Sequence, residues 1–133
     1  MIYALDSNII SYLLKDNPAV YSQLFKAIDA GCRCIIPPIA YYEIKRGLLS
    51  VNATTKMAGF DKLCRDFGVG SMDKHVWNEA ARLYAIHRKL GEPLEDADFF
   101  MAAFCIVNGY TLVTNNIDHF KRINGLKYVN WMI

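Results

Sequence analysis

Oxygen-bearing side chains recur at four places in this chain where an apolar run meets a helical pattern: Asp6, Glu43, Asp98, and Thr114 with Asn116. Ile2 to Leu5 has the length of a strand, Asp6-Ser7-Asn8 is a polar break, and Ile9 to Leu14 resumes with helical spacing, so Asp6 falls at the carboxyl end of a strand. Glu43 lies early in a helical pattern that directly follows the run Cys32 to Ile36. Asp98 opens the long apolar run Phe99 to Val107, and Thr114-Asn115-Asn116 follows the run Tyr110 to Val113. Strands that join one parallel sheet bring such stations to a single edge, where open α/β proteins bind ligands. Carboxylates that close together demand a cation, and oxygen ligands without histidine or thiolate select Mg²⁺ or Mn²⁺. Phosphodiester hydrolysis is the natural chemistry, because the metal polarises phosphorus and lowers the pKa of a bound water.

Each station also has a plainer reading. Asp, Ser and Asn cap helices by accepting free backbone N–H groups, which suits Asp6, Thr114 and Asn116. Glu43 standing alone reads as a surface carboxylate paired with Arg46. The helix dipole favours acids in a first turn by about 0.3 to 1 kcal/mol each, which accounts for one or two of Glu95, Asp96 and Asp98. Asp98 is the hardest to explain this way, since the register that follows turns its side chain along a buried cylinder, where an unpaired charge is costly.

The elements that must position these residues follow from periodicity. Asn17 and Pro18 start a helix with Val20, Leu24, Ala27 and Ile28 on one face, stopped by Gly31. Pro37-Pro38 ends the second strand, and Ile39 to Leu49 and Lys56 to Phe67 have helical spacing. Val69 to Met72 reads as a short strand. Asp73 then caps a helix with Val76, Ala80, Leu83, His87 and Leu90 inward, and His87 reads as a hydrogen-bonded histidine at the core rim. Asn108-Gly109 stops the apolar helix, Ile117 to Phe120 is a helical turn, and Leu126 to Val129 is a last strand. This alternation predicts an α/β fold with a mainly parallel sheet covered on both faces.

A chain of 133 residues, 53% hydrophobic and 21% charged, predicts a single domain over 1–133 with a sizeable core, no linker and no disordered tail. Its longest apolar run is far short of the roughly 20 residues of a membrane helix, and Asp6 interrupts the one candidate leader, so a soluble, cytoplasmic protein is expected. Cys32, Cys34, Cys64 and Cys105 have no metal-site spacing and read as buried free thiols, which suits a reducing compartment. His75 and His119 likewise have no companion at metal-binding spacing. A net charge of +2 neither requires nor excludes nucleic acid, leaving that role to local patches.

Taken together, Leu5-Asp6-Ser7-Asn8, Glu43 in Tyr42-Glu43-Ile44-Lys45-Arg46-Gly47, Asp98 in Gly91-Glu92-Pro93-Leu94 through Ala103, and Leu112-Val113-Thr114-Asn115-Asn116 with Phe120 resemble the PIN-domain family. Within it, the chain is similar to the VapC-type ribonuclease toxins of type II toxin–antitoxin pairs. The resemblance runs nearly end to end and implies a three-layer α/β/α sandwich, a Mg²⁺-dependent endoribonuclease, an RNA substrate and frequently a homodimer. It maps the acidic residues onto Asp6, Glu43 and Asp98, with Asn116 at a fourth position where many relatives carry an acid. Asp118 could partly replace that charge, and Asp96 is a second neighbour.

The mechanism so implied has Asp6 and Asp98 binding Mg²⁺, Glu43 as a third ligand or a water-orienting base, and Thr114 with Asn116 positioning water or phosphate. Lys45-Arg46 and Lys121-Arg122 could hold flanking phosphates. Helices 39–49 and 56–67 carry Tyr41, Tyr42, Leu48, Leu49, Met57 and Phe60, enough apolar surface for a groove that, by resemblance, receives the antitoxin. The leading alternative is a non-catalytic PIN-like RNA-binding or adaptor module. A phosphatase with Asp6 as nucleophile is the other, although the usual second acid is Asn8 here.

Overall fold

The first apolar run of the chain and the late one before Thr114 meet at the centre of one sheet. The computed structural model describes residues 1–133. In chain order its elements are β1 (Ile2–Leu5), α1 (Ser7–Leu14), α2 (Pro18–Asp29), β2 (Arg33–Ile35), α3 (Pro38–Ser50), α4 (Thr54–Phe67), α5 (Lys74–Lys89), α6 (Asp96–Asn108), β3 (Thr111–Val113), α7 (Ile117–Phe120) and β4 (Lys127–Val129). The strands pair in parallel in the order β2-β1-β3-β4, with Ala4 opposite Ile35 on one side and Leu112 on the other. Ala4, Leu5 and all of β3 are buried, as expected of parallel strands with helices on the sheet.

Strand order decides where a site can form. From β1 the chain moves to β2 on one side and returns through α3 to α6 to place β3 on the other, so the order reverses between β1 and β3. The connections that follow β1 and β3 therefore part at their carboxyl ends and leave a crevice. Asp6 and Thr114 are the first residues beyond those two strands.

Local sequence explains most boundaries. Asn17 Oδ1 accepts from Ala19 and Val20 N–H at 3.0 and 3.2 Å, with Pro18 opening α2, and Asp73 Oδ1 accepts from Val76 N–H at 3.0 Å to open α5. Gly109, in the left-handed region at φ 71°, ends α6 and turns the chain straight into β3. Helices α1 to α4 pack among themselves, while α5 and α6 form a closely packed pair with α6 against β3.

Three expectations are corrected. Val69 to Met72 is no strand: a single parallel bridge joins Val69 to Ile36, and the chain then passes so close beneath Phe104 that a Cβ on Gly70 would collide with the ring. Ile28 and Leu90 are exposed, because Ile28 faces the hollow between α2 and α4 and Leu90 lies past the last turn of α5. His87 is buried against Phe99 as the stripe predicts, but its Nδ1 has no hydrogen-bond partner, and Glu92 Oε2 stands 3.8 Å away. All four cysteines are free thiols, with Cys34 and Cys105 buried and Cys32 and Cys64 partly exposed; burial pushes the Cys34 thiol up to about 11. No helix is long and apolar enough to cross a membrane.

Candidate functional site

Asp6 is both a cap and a wall of the crevice. Its backbone N–H donates to Val113 O at 2.9 Å, which ties it to the end of β3. Its Oδ1 accepts from Ser7 N–H at 2.8 Å, capping α1. Oδ2 accepts from Thr114 Oγ1 at 2.7 Å and from Asn8 Nδ2 at 3.3 Å. Thr114 Oγ1 in turn accepts from Asn116 N–H at 2.9 Å. Asn115 N–H donates to Asn8 Oδ1 at 3.1 Å, so the ends of the neighbouring strands β1 and β3 are laced together by side chains.

Glu43 and Asp98 reach the same place from helices. Glu43 lies in the second turn of α3, which starts at Pro38 just beyond the end of β2. Asp98 is not at a strand-to-helix junction as the sequence suggested, because α6 follows α5 and not a strand. It still arrives at this edge because α6 feeds β3 through a tight turn and runs back against it, which puts the start of α6 at the strands' carboxyl ends. Asp6, Glu43, Glu95, Asp98, Asn116 and His119 line one polar cavity of about 180 Å³.

Electrostatics sets these residues apart from the surface acids. Burial raises the Asp6 carboxyl above the ordinary range, with Thr114, Ser7 and Asn8 partly offsetting it. Burial also raises Glu43, helped by the charge of Asp6 and, less, by that of Asp98, while the Ser7 hydroxyl and Arg46 pull the other way. Asp98 is raised by burial against the opposing charge and hydrogen bond of His119, whose Nδ1 is 3.1 Å from Asp98 Oδ2. Three acids all raised by burial, two of them also by the charge of Asp6, are a set that a cation would relieve.

The donor chemistry fits a hard divalent cation that keeps its water. No three His, Cys, Asp or Glu side chains stand close enough to form a ready-made cage. A Mg²⁺ site needs only one or two direct carboxylates beside several waters, so a shared acidic cavity rather than a tight cluster is what such an ion requires. Asp6, Glu43 and Asp98 are the residues that would hold it.

The remaining expected residues divide. Asn116 lines the cavity, but Thr114 is fully buried and holds Asp6 instead of facing substrate. Asp118 is outside, exposed and paired with Lys121 at 3.0 Å, which holds its carboxyl below the usual range. Asp96 is outside too, beside Trp77 and Phe100 between α5 and α6, and the acid that joins the cavity from this turn is Glu95. His119 was missed; its one signal was the spacing of three from Asn116, which stacks the two on a helical turn. Of the basic pairs, Lys45 is taken up by Asp61 at 3.8 Å and Lys121 by Asp118, while Arg46 lies over the Tyr42 ring at 5.1 Å.

The apolar groove also lies elsewhere than expected. Phe60 is fully buried in the core, and the groove, about 470 Å³, runs between α2 and α4 with Tyr21, Phe25 and Ile28 facing Leu63 and Phe67. A smaller hollow of about 190 Å³ shares Leu14 and Lys56 with it and Glu43 with the acidic cavity, which makes one track from apolar groove to carboxylates.

A family model described as PIN domain matches residues 3–126. Ribonuclease VapC1 of Haemophilus influenzae is 26% identical over 132 residues, spanning 98% of each chain. The tRNA(fMet)-specific endonuclease VapC of Shigella flexneri is 24% identical over 129 residues and 97% of each chain. Among solved structures, VapBC2 from Rickettsia felis bound to a DNA fragment from its promoter aligns with a TM-score of 0.89 at 26% identity, covering 98% of this chain and 99% of that one.

Proposed function

The chain belongs to the PIN-domain family, and from that premise we propose that it is a Mg²⁺-dependent endoribonuclease and the toxin of a type II toxin–antitoxin pair. The observation that carries this reading is the convergence of Asp6, Glu43 and Asp98, from three separate elements, on one cavity at the strand-order reversal of a parallel sheet. Mg²⁺, or Mn²⁺ in its place, would supply charge for the scissile phosphate and a more acidic water. Asp6, fixed by Thr114 and Ser7, gives the rigid wall against which substrate is placed. Asp98 faces it from α6. Glu43, partly exposed and raised in pKa by burial and then by the charge of Asp6, is the group best suited to take a proton from water. Arg46 and Arg122 stay available for flanking phosphates.

The partners follow from the same surface. An antitoxin segment with apolar side chains fits the α2–α4 groove, and a basic residue at its end would reach Glu43 along the connecting hollow. The name of the similar ribonuclease VapC1 and the likeness to the VapBC2 structure support reading the chain as a VapC-type ribonuclease that has such a partner. A homodimer fits the face of α5 and α6 on which exposed Trp77 packs edge-on to Phe100 and exposed Tyr84 to the buried Phe99.

The purified chain should cut total RNA, transfer RNA included, with Mg²⁺ and not with chelator, and Asp98→Asn should abolish the cuts. Cleavage indifferent to chelator overturns the metal-dependent reading. RNA binding without any cleavage in Mg²⁺ or Mn²⁺ establishes the adaptor alternative instead.

A further inference from the structure

Asp98 differs from Asp6 in how it is held. Asp6 has three side chains and a backbone N–H around it, whereas the only side-chain partner of Asp98 is the His119 ring. Asn116 meets this residue twice: the His119 backbone N–H donates to Asn116 O at 3.2 Å, and Asn116 Nδ2 is 2.9 Å from the same Nδ1 that faces Asp98. The next residue, Phe120, is buried and anchors the helical turn in the core.

One nitrogen cannot both donate to a carboxylate and accept from an amide. An ionised carboxylate only accepts, so Nδ1 carries the proton and points it at Asp98. Asn116 then meets Nδ1–H with its amide oxygen, which an amide rotated by half a turn supplies at the same place. Its NH₂ is thereby turned away from the ring. A single tautomer of His119, set by the Asp98 carboxylate and accommodated by Asn116, follows from these contacts.

We propose that His119 is a positioning residue of this site, holding Asp98 through Nδ1–H in the orientation that meets the cation, with Asn116 fixing the ring. It rests on the metal-dependent reading but concerns residues outside the ligand set. The Asp98 side chain is 15% exposed and the ring 43% exposed, so the ring shields one side of the carboxylate while leaving the cavity side open. Without it, Asp98 keeps its charge and loses its direction.

Long-range ¹⁵N–¹H correlation spectra of the metal-free protein should show His119 as the Nδ1–H tautomer, and Asp98→Asn should shift that signal. Calorimetry with Mg²⁺ alone should show affinity falling roughly 10- to 100-fold in His119→Ala, the usual effect of removing a group that orients a metal ligand. His119→Asn, whose amide nitrogen can stand where Nδ1 stood, should recover most of it, and the loss in RNA cleavage should fall on kcat with KM little changed. An Nε2–H tautomer overturns the role. So does unchanged Mg²⁺ affinity in His119→Ala beside a wild type that binds, or an Asn variant no better than Ala; in these cases the nuclease reading survives. A wild type that binds no Mg²⁺ fells the metal reading and this role with it.

Discussion

The two walls of the acidic cavity are built on opposite terms. On the sheet wall, Asp6 sits at the end of a central strand with hydrogen bonds from Ser7, Asn8 and a fully buried Thr114. On the helix wall, Glu43 meets only the Ser7 hydroxyl and Asp98 only the ring of a half-exposed histidine. Burial raises all three carboxyls, so each is ionised at some expense to the metal-free fold. The difference is that Asp6 also caps α1 and ties β1 to β3 in the core, whereas Glu43 caps no helix and Asp98 makes one partly exposed contact to α7. The sheet wall therefore carries structure and chemistry at once, and the helix wall carries mainly chemistry.

The sharpest way to break this contrast is to neutralise the helix wall. Glu43→Gln and Asp98→Asn should each lower kcat for RNA cleavage on the order of 10²- to 10⁴-fold, the range expected for a positioned base or its equivalent. Neither should lower the melting temperature of the metal-free protein, and relief of like-charge repulsion should raise it. Activity retained within tenfold, or a fall of several degrees in the metal-free melt, would move these acids into the structural class.

The sheet wall should answer in the other direction. Thr114→Val keeps the shape but strips the shortest donor from Asp6 and leaves Asn116 N–H without its acceptor. Losing a hydrogen bond to a buried charge costs about 1.5 to 3 kcal/mol, and in a chain of this size each kcal/mol moves the melting point by roughly 3 to 5 °C. Thermal melts of Thr114→Val beside Asp98→Asn test the pair of expectations together. A Thr114→Val protein as stable as the wild type would show that Asp6 does not depend on this bond.

These walls also mark what the sequence could disclose. The strand ends, the caps at Asp6, Asn17 and Asp73 and the stop at Gly109 were legible, since each depends on residues within a few positions of one another. The convergence of Asp6, Glu43 and Asn116 was legible because the topology of a parallel sheet sends every such station to one edge, whereas Asp98 arrives there by a different route, the run of α6 back against β3. What escaped was set by contacts across the chain. Thr114 joins Asp6 over 108 residues and His119 joins Asp98 over 21, so neither pairing leaves a periodic trace. The groove was misplaced for a similar reason: Phe60 is turned into the core by the packing of α4 on its neighbours, which leaves α2 to supply the opposite lip. Asp118 and Asp96 looked equal to Asp98 as types, and only the direction of each helix separates them.

The smallest effect concerns pH, and its sign is the unusual one. The carboxyls of Asp6, Glu43 and Asp98 lie above their ordinary values of 3.8 and 4.5 in the folded protein. A group raised in this way favours the fold when protonated, so its contribution is fully present below the ordinary value and is lost as pH rises through the folded one. The metal-free protein should therefore gain stability as pH falls through the raised values of these carboxyls toward their ordinary ones, before general acid unfolding takes over. Asp118 is lowered and has the opposite sign, but it is fully exposed and its contribution is screened by solvent. Mg²⁺ must reverse the trend, because it binds the ionised acids and competes with protons for them. At ten times its dissociation constant it should add about 1.4 kcal/mol near pH 7, and that gain should shrink as the acids protonate. Denaturant titrations at several pH values, with Mg²⁺ and with chelator, measure both curves. Parallel curves would mean that ion and protons do not meet at these carboxylates, and the distinction between the two walls would then be one of structure only.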